Sequence, residues 1–157
     1  MRESRTNIAG LVLNETGRSR VAYLPADIDR RFAIDNLPDH GDLLANLVRW
    51  AAGGRLPLEV SGPGLIDCEL YQQGGRLILH LVNLTSAGTW RAPVHELIAV
   101  GPLRVRIRLP QGAQPRTLKM LVSQAGGGAS PTLHEEDGWV QFEVKSILDH
   151  EVVALES

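Results

Sequence analysis

The sequence predicts a mainly β protein: an antiparallel β-sandwich preceded by a β-hairpin and a helix left over from an α/β domain. Three observations carry this. Apolar residues recur at three- and four-residue spacing in residues 36–54, and beyond Gly54 the period drops to two. Seven or eight short apolar runs then follow, broken by Gly and Pro, as in a sandwich. Before the helix lies one hairpin signal, whereas a parallel sheet needs several strands with helices on both faces. The expected division is residues 1-54, a partial α/β remnant, and residues 55-157, a C-terminal β-sandwich.

In chain order, residues 8–13 and 20–24 (RVAYL) are short apolar runs separated by a polar turn at 14–19, which predicts the hairpin. Pro25 ends the second strand because it has no N–H to give a ladder. Residues 26–31 (ADIDRR) are then expected to form a charged loop at the carboxyl end of a strand, where open α/β sheets bind ligands. Asp27 and Asp29, with Arg30 beside them, are candidates for acid–base work there. The plainer reading is that the aspartates cap a short turn and pair with Arg30 or Arg31 on the surface.

Residues 36–54 (NLPDHGDLLANLVRWAAGG) form the best-specified helix. Asp39 is expected at its N-cap and Asp42 in its first turn, where the dipole favours a carboxylate. Leu43, Leu44, Leu47, Val48, Trp50 and Ala51 make its apolar face, and Gly53 and Gly54 end it.

The strands expected next are 58–61, 65–71, 76–83, 103–109, 118–123, 140–144 and 151–155, with Asp137-Gly138 as a hairpin turn. Residues 76–83 (RLILHLVN) carry apolar groups on both faces, which predicts a central strand covered on both sides. Two segments interrupt the rhythm: a long connection at 85–100 and a Gly/Ser-rich stretch at 124–131.

Composition narrows the functional classes. A formal charge of -2 argues against nucleic acid as a partner. The single cysteine, Cys68, excludes an internal disulfide and any multi-cysteine metal site, and its alternating strand makes it a small buried hydrophobe. No run approaches the roughly 20 apolar residues that cross a membrane, and the first ten residues lack the apolar stretch of a secretory signal. A soluble chain is expected, with no compartment indicated.

Two constellations could bind a ligand. Arg104, Arg106 and Arg108 alternate, so they share one strand face and could bind a sulfated or uronic sugar, or an acidic partner. The plainer reading pairs them with Asp67, Glu69 or other acidic neighbours across the sheet. Trp90, in the long connection beside Arg91 and His95, could stack on a pyranose or tuck under its loop. Trp50 and Trp139 are expected to pack in the core or between domains. The five histidines show no metal-ligand spacing, and the chain has no nucleophile elbow, phosphate loop or dinucleotide fingerprint. Neither metal nor cofactor is expected, and no paired carboxylates of the glycosidase kind stand out.

The stretches RVAYLPADIDRRFAIDNLPDHGDLLANLVRWA, LEVSGPGLIDCELYQQGGRLILHLVNLT, VGPLRVRIRLP and LDHEVVALE together resemble the C-terminal region of a family of bacterial glycoside hydrolases. Members of that family look like a catalytic (β/α)₈ barrel, an amidotransferase-like α/β domain akin to the β-galactosidase trimerisation domain, and a terminal β-sandwich. The resemblance makes residues 1-54 the end of a flavodoxin- or amidotransferase-like domain. It offers no catalytic residue to carry over, because the barrel has no counterpart here. It implies a non-catalytic accessory portion of a β-galactosidase-like glycosidase, serving interdomain or subunit packing. The implied partners are a second copy or the remainder of a longer glycosidase. The alternative is a carbohydrate-binding sandwich using Trp90, His95 and the arginine row.

Overall fold

A computed structural model describes residues 7–85, 97–123 and 130–156. The chain divides into two units, Met1–Leu56 and Pro57–Ser157.

In the first unit, β1 (Val12–Thr16) and β2 (Ser19–Tyr23) form an antiparallel hairpin. Thr16 faces Ser19 across a two-residue turn whose Gly17 has φ 60°. This places β1 later than the apolar run at 8–13. The tight turn fixes the register, and pairing grows outward from it through polar Asn14 and Glu15.

The charged loop expected at 26–31 is instead the start of α1 (Ile28–Asp35). Arg30 pairs with Asp27 at 3.6 Å and Arg31 with Asp35 at 3.3 Å, spacings that support a short helix. Asn36, in the left-handed conformation, ends it by donating its N–H to the Phe32 carbonyl.

α2 (Pro38–Ala51) follows at once. Leu37, not Asp39, occupies the N-cap, because the fixed φ of Pro38 suits the first helical position. Asp39 sits in the first turn, and Gly53 and Gly54 take positive φ just past the end. Arg20 ties hairpin to helix: it donates to the Trp50 carbonyl at 3.2 Å, and its guanidinium lies 5.6 Å from the centre of the Trp50 ring. No described residue of this unit is buried.

The second unit is a sandwich of two four-stranded antiparallel sheets. One has the order β4 (Ile66–Gln73), β5 (Arg76–Asn83), β10 (His150–Glu156), β7 (Thr117–Met120). The other runs β3 (Leu58–Ser61), β6 (Leu103–Arg108), β9 (Trp139–Val144), β8 (His134–Glu136). Alternate residues point inward: Leu77, Leu79, Leu81, Leu118, Met120, Val153 and Leu155 from the first sheet meet Leu103, Val105, Ile107, Val140, Phe142 and Val144 from the second. The predicted Asp137-Gly138 turn is present, with φ 52° and 74° at its two residues.

Three strand expectations need correction. β5 is central, between β4 and β10, but its outer face is only partly covered and Val82 is exposed. Antiparallel sheets in a sandwich bury one face, so apolar residues on both sides of a strand do not require two covered faces. β7 ends at Met120, leaving Leu121 and Val122 exposed in a turn, because the Val122 and Ser123 N–H groups bind the Glu151 carboxylate. Cys68 is half-buried against the core rather than fully enclosed, and burial, then Asp67, raises its thiol pKa.

Candidate functional site: the outer face of the second sheet

The residues that do not enter the core define the outer face of the β3–β6–β9–β8 sheet. Antiparallel registers arrange them in three rows across the strands: Ser61, Arg104 and Glu143; then Glu59, Arg106, Gln141 and His134; then Arg108, Trp139 and Glu136. Neighbours within a row are cross-strand pairs, and rows repeat about 6.5–7 Å apart along each strand.

The three arginines therefore share one face, but they are in three different situations. Arg106 bonds Glu59 directly across the sheet at 2.6 Å, and its guanidinium lies 4.7 Å from the Trp139 ring centre. Its buried Nε has no hydrogen-bond partner among the described residues, and the π face beside it is the group that can receive that N–H. Arg108 stacks on the same ring at 4.6 Å. Arg104 makes no ion pair among the described residues.

The acidic partner of the row is thus Glu59, not Asp67 or Glu69, because those two lie on β4 in the opposite sheet. Of the two places expected for Trp139, the core is not the one it takes: it is half-buried on the outer face beneath two guanidinium groups. Cation–π contacts of this kind hold side chains in place while leaving the guanidinium edge free to bond.

A groove of about 940 Å³ runs over this face, at the upper end of the volumes small ligands occupy. Glu59, Ser61, Arg104, Arg106, Gln141 and Glu143 line its floor. Thr132, His134 and Lys145 complete the rim. Glu59, Gln141, Glu143, His134 and Lys145 were not singled out by sequence reasoning. The signal was available: the alternation in residues 139–144 puts Trp139, Gln141 and Glu143 on the face opposite Val140, Phe142 and Val144.

The other candidates are not brought to this face. Trp90 and His95 lie outside the described residues. Asp27 occupies the N-cap of α1, where its side chain makes no capping bond, and Asp29 stands in the first turn. Arg30 is spent on Asp27, so the three form a solvated helix start. Among the described residues no group of three or more His, Cys, Asp or Glu side chains is placed to hold a metal. No helix among them is long and apolar enough to cross a membrane.

The fold and this face define a mainly β protein, a sandwich with a groove over its β3–β6–β9–β8 sheet, and an accompanying hairpin and helix pair. Among solved structures, it is similar to an alpha-L-fucosidase, isoenzyme 2 from Paenibacillus thiaminolyticus, with a TM-score of 0.70 and 18% identity. That match covers 94% of this chain and 22% of the fucosidase, so the chain spans under a quarter of its length. A cycloisomaltooligosaccharide glucanotransferase from Paenibacillus sp. matches with a TM-score of 0.49 and 10% identity, over 63% of this chain and 16% of that one. No family model and no curated protein matches the sequence. The fold is therefore one found within a carbohydrate-active enzyme.

Proposed function

We propose that this chain is a non-catalytic accessory portion of a larger glycoside hydrolase, serving interdomain or subunit packing. The observation that carries the reading is the extent of the fold likeness: nearly all of this chain corresponds to about a fifth of an alpha-L-fucosidase. A second observation supports a packing role for the first unit. Val12, Leu13, Val21, Tyr23, Ile34 and Val48 are all exposed, and none of the described residues of that unit is buried. A surface of this kind gains stability when another domain or copy covers it. The finer assignment belongs to the same proposal: an amidotransferase-like, β-galactosidase-related α/β remnant followed by a terminal sandwich of a bacterial enzyme.

Turnover decides the catalytic part. The purified chain is expected to hydrolyse no aryl-glycoside, α-L-fucosides included. Hydrolysis that survives repurification and is abolished by Asp27→Asn or Asp29→Asn would overturn it. Sedimentation equilibrium across a tenfold dilution tests packing, with dimerisation expected and weakened in Leu13→Asp.

A second reading, a carbohydrate-binding sandwich, is favoured by one specific observation: the groove carries polar side chains that no other described residue engages. The two readings are compatible, because an accessory portion can both pack and bind.

A further inference from the structure

Arg104 and Lys145 line the groove, and neither forms an ion pair among the described residues. Their placement follows from register. Arg104 faces Glu143, and Lys145 lies two residues further along the same chain, so it is the diagonal neighbour of Arg104 at a typical backbone separation of roughly 7–8 Å. Side chains as long as these can converge on one ligand group across that gap.

The rest of the groove separates cleanly from them. Glu59 and Arg106 neutralise each other at 2.6 Å. Ser61, Thr132, Gln141 and His134 can each donate or accept, which suits the hydroxyl groups of a sugar. Glu143 is the remaining charge, directly opposite Arg104 yet without an ion pair to it. The lining charges are Arg104, Arg106 and Lys145 against Glu59 and Glu143, which leaves a positive excess.

Resting on the carbohydrate-binding reading, we propose that the groove binds an acidic saccharide, with the carboxylate or sulfate of a sugar residue held between Arg104 and Lys145. A guanidinium offers paired N–H groups matched to two oxygens of an oxyacid, and the ammonium adds a point charge. Gln141, His134 and Ser61 engage the neighbouring hydroxyls. Arg106 is a positioning residue: Glu59 and Trp139 fix it, and it shapes the groove floor. Glu143 opposes the anion and competes for Arg104, so it limits affinity.

Calorimetric titration of the full chain tests this with four probes: trigalacturonate, a sulfated galactose trisaccharide, neutral galactotriose and inorganic sulfate. One or both acidic trisaccharides are expected to bind about tenfold or more tighter than the neutral one and than sulfate, as charge-assisted bonds imply. The uronate and sulfate arms identify the acidic group. Arg104→Gln and Lys145→Gln should each weaken binding by about tenfold, while Glu143→Gln should strengthen it severalfold. Arg116→Gln, the same charge change at an exposed site outside the groove, should leave it unchanged.

Near-UV circular dichroism confirms that each variant is folded, and Lys145→Gln carries the test if Arg104→Gln is not. Neutral galactotriose binding as tightly as the acidic sugars would overturn the proposal and keep the carbohydrate-binding reading. So would affinity unchanged in folded Arg104→Gln and Lys145→Gln. Inorganic sulfate binding as tightly as any sugar would reduce the groove to an anion site. Absence of all saccharide binding would overturn both the proposal and the carbohydrate-binding reading, and the turnover assay would still stand separately.

Discussion

The two units are built from similar residues and reach different ends. In the sandwich, the inward positions of the central strands are enclosed between the sheets: Leu79, Leu81, Ile107, Val140, Val144 and Val153 are each fully buried. In the first unit, α2 has a good apolar stripe, but Leu43, Leu44, Leu47 and Trp50 are only half-buried and Val48 is 60% exposed. The difference lies in layering. Two four-stranded sheets enclose a volume between them, whereas a two-stranded hairpin and two helices cannot close one. Amphipathic patterning is thus necessary for a core, but a second layer of matching size decides whether one forms.

Truncation in the two units separates them most strongly. Leu79→Ala should cost about 2–5 kcal/mol in urea unfolding of the sandwich, as expected for a leucine that leaves a cavity. Val48→Ala in α2 should change stability by less than about 0.5 kcal/mol. Comparable losses at the two sites would mean that the helix face is covered in solution and would break the contrast.

The sandwich also satisfies polar groups that it buries. Glu151 points inward at 2% exposure and accepts N–H bonds from Val122, Ser123 and Val152 at 2.9, 3.0 and 2.9 Å. Asn83 donates to the Ile98 and Leu148 carbonyls at 2.7 and 2.9 Å and accepts from the Thr85 N–H at 2.9 Å. Glu151→Ala should cost about 3 kcal/mol, because it strands three amide donors. Glu151→Gln should recover part of that loss in the same unfolding assay, since one amide oxygen still accepts.

Hydrogen exchange sharpens the contrast at the level of dynamics. Amides of β5, β6, β9 and β10 should exchange only near global unfolding, while those of β1, β2 and α1 exchange through local opening. Equal protection in both sets would show that the first unit shares the stability of the second.

Surface pairs carry the smaller effects. Arg106→Ala should cost about 1 kcal/mol or less, since both Arg106 and Glu59 remain substantially exposed despite the 2.6 Å contact and the Trp139 stack. The smallest effect expected is a pH dependence at Glu156. The hydrogen bond from Lys119 at 2.7 Å lowers its carboxyl pKa, and attraction to Lys119 and Arg76 adds to this against partial desolvation. A folded pKa below the unfolded one stabilises the protein above the unfolded value, and the contribution fades as pH falls through the folded value. Glu156→Gln should therefore lower the thermal midpoint slightly at pH 7, with the difference closing as the pH falls through the lowered carboxyl pKa.

Local chemistry made much of this molecule legible from sequence. The alternation of Leu77, Leu79 and Leu81 and of Val105 and Ile107 identified strands and their inward faces, because the strand period is two. Asp137-Gly138 identified its turn because both residues accept positive φ. The periodic stripe from Leu43 to Trp50 identified α2.

Pairing decided the rest. Which acid meets Arg106, and whether Trp139 faces core or solvent, depend on β6 lying between β3 and β9, a neighbour relation that no single strand encodes. Glu151 and Asn83 continue the inward parity of leucines and valines, so their burial followed the strand pattern, but most of the backbone groups that satisfy them come from segments distant in sequence. The groove exists for the same reason. Its residues come from four strands and the segments beside them, and they become one surface only when register aligns their alternate side chains.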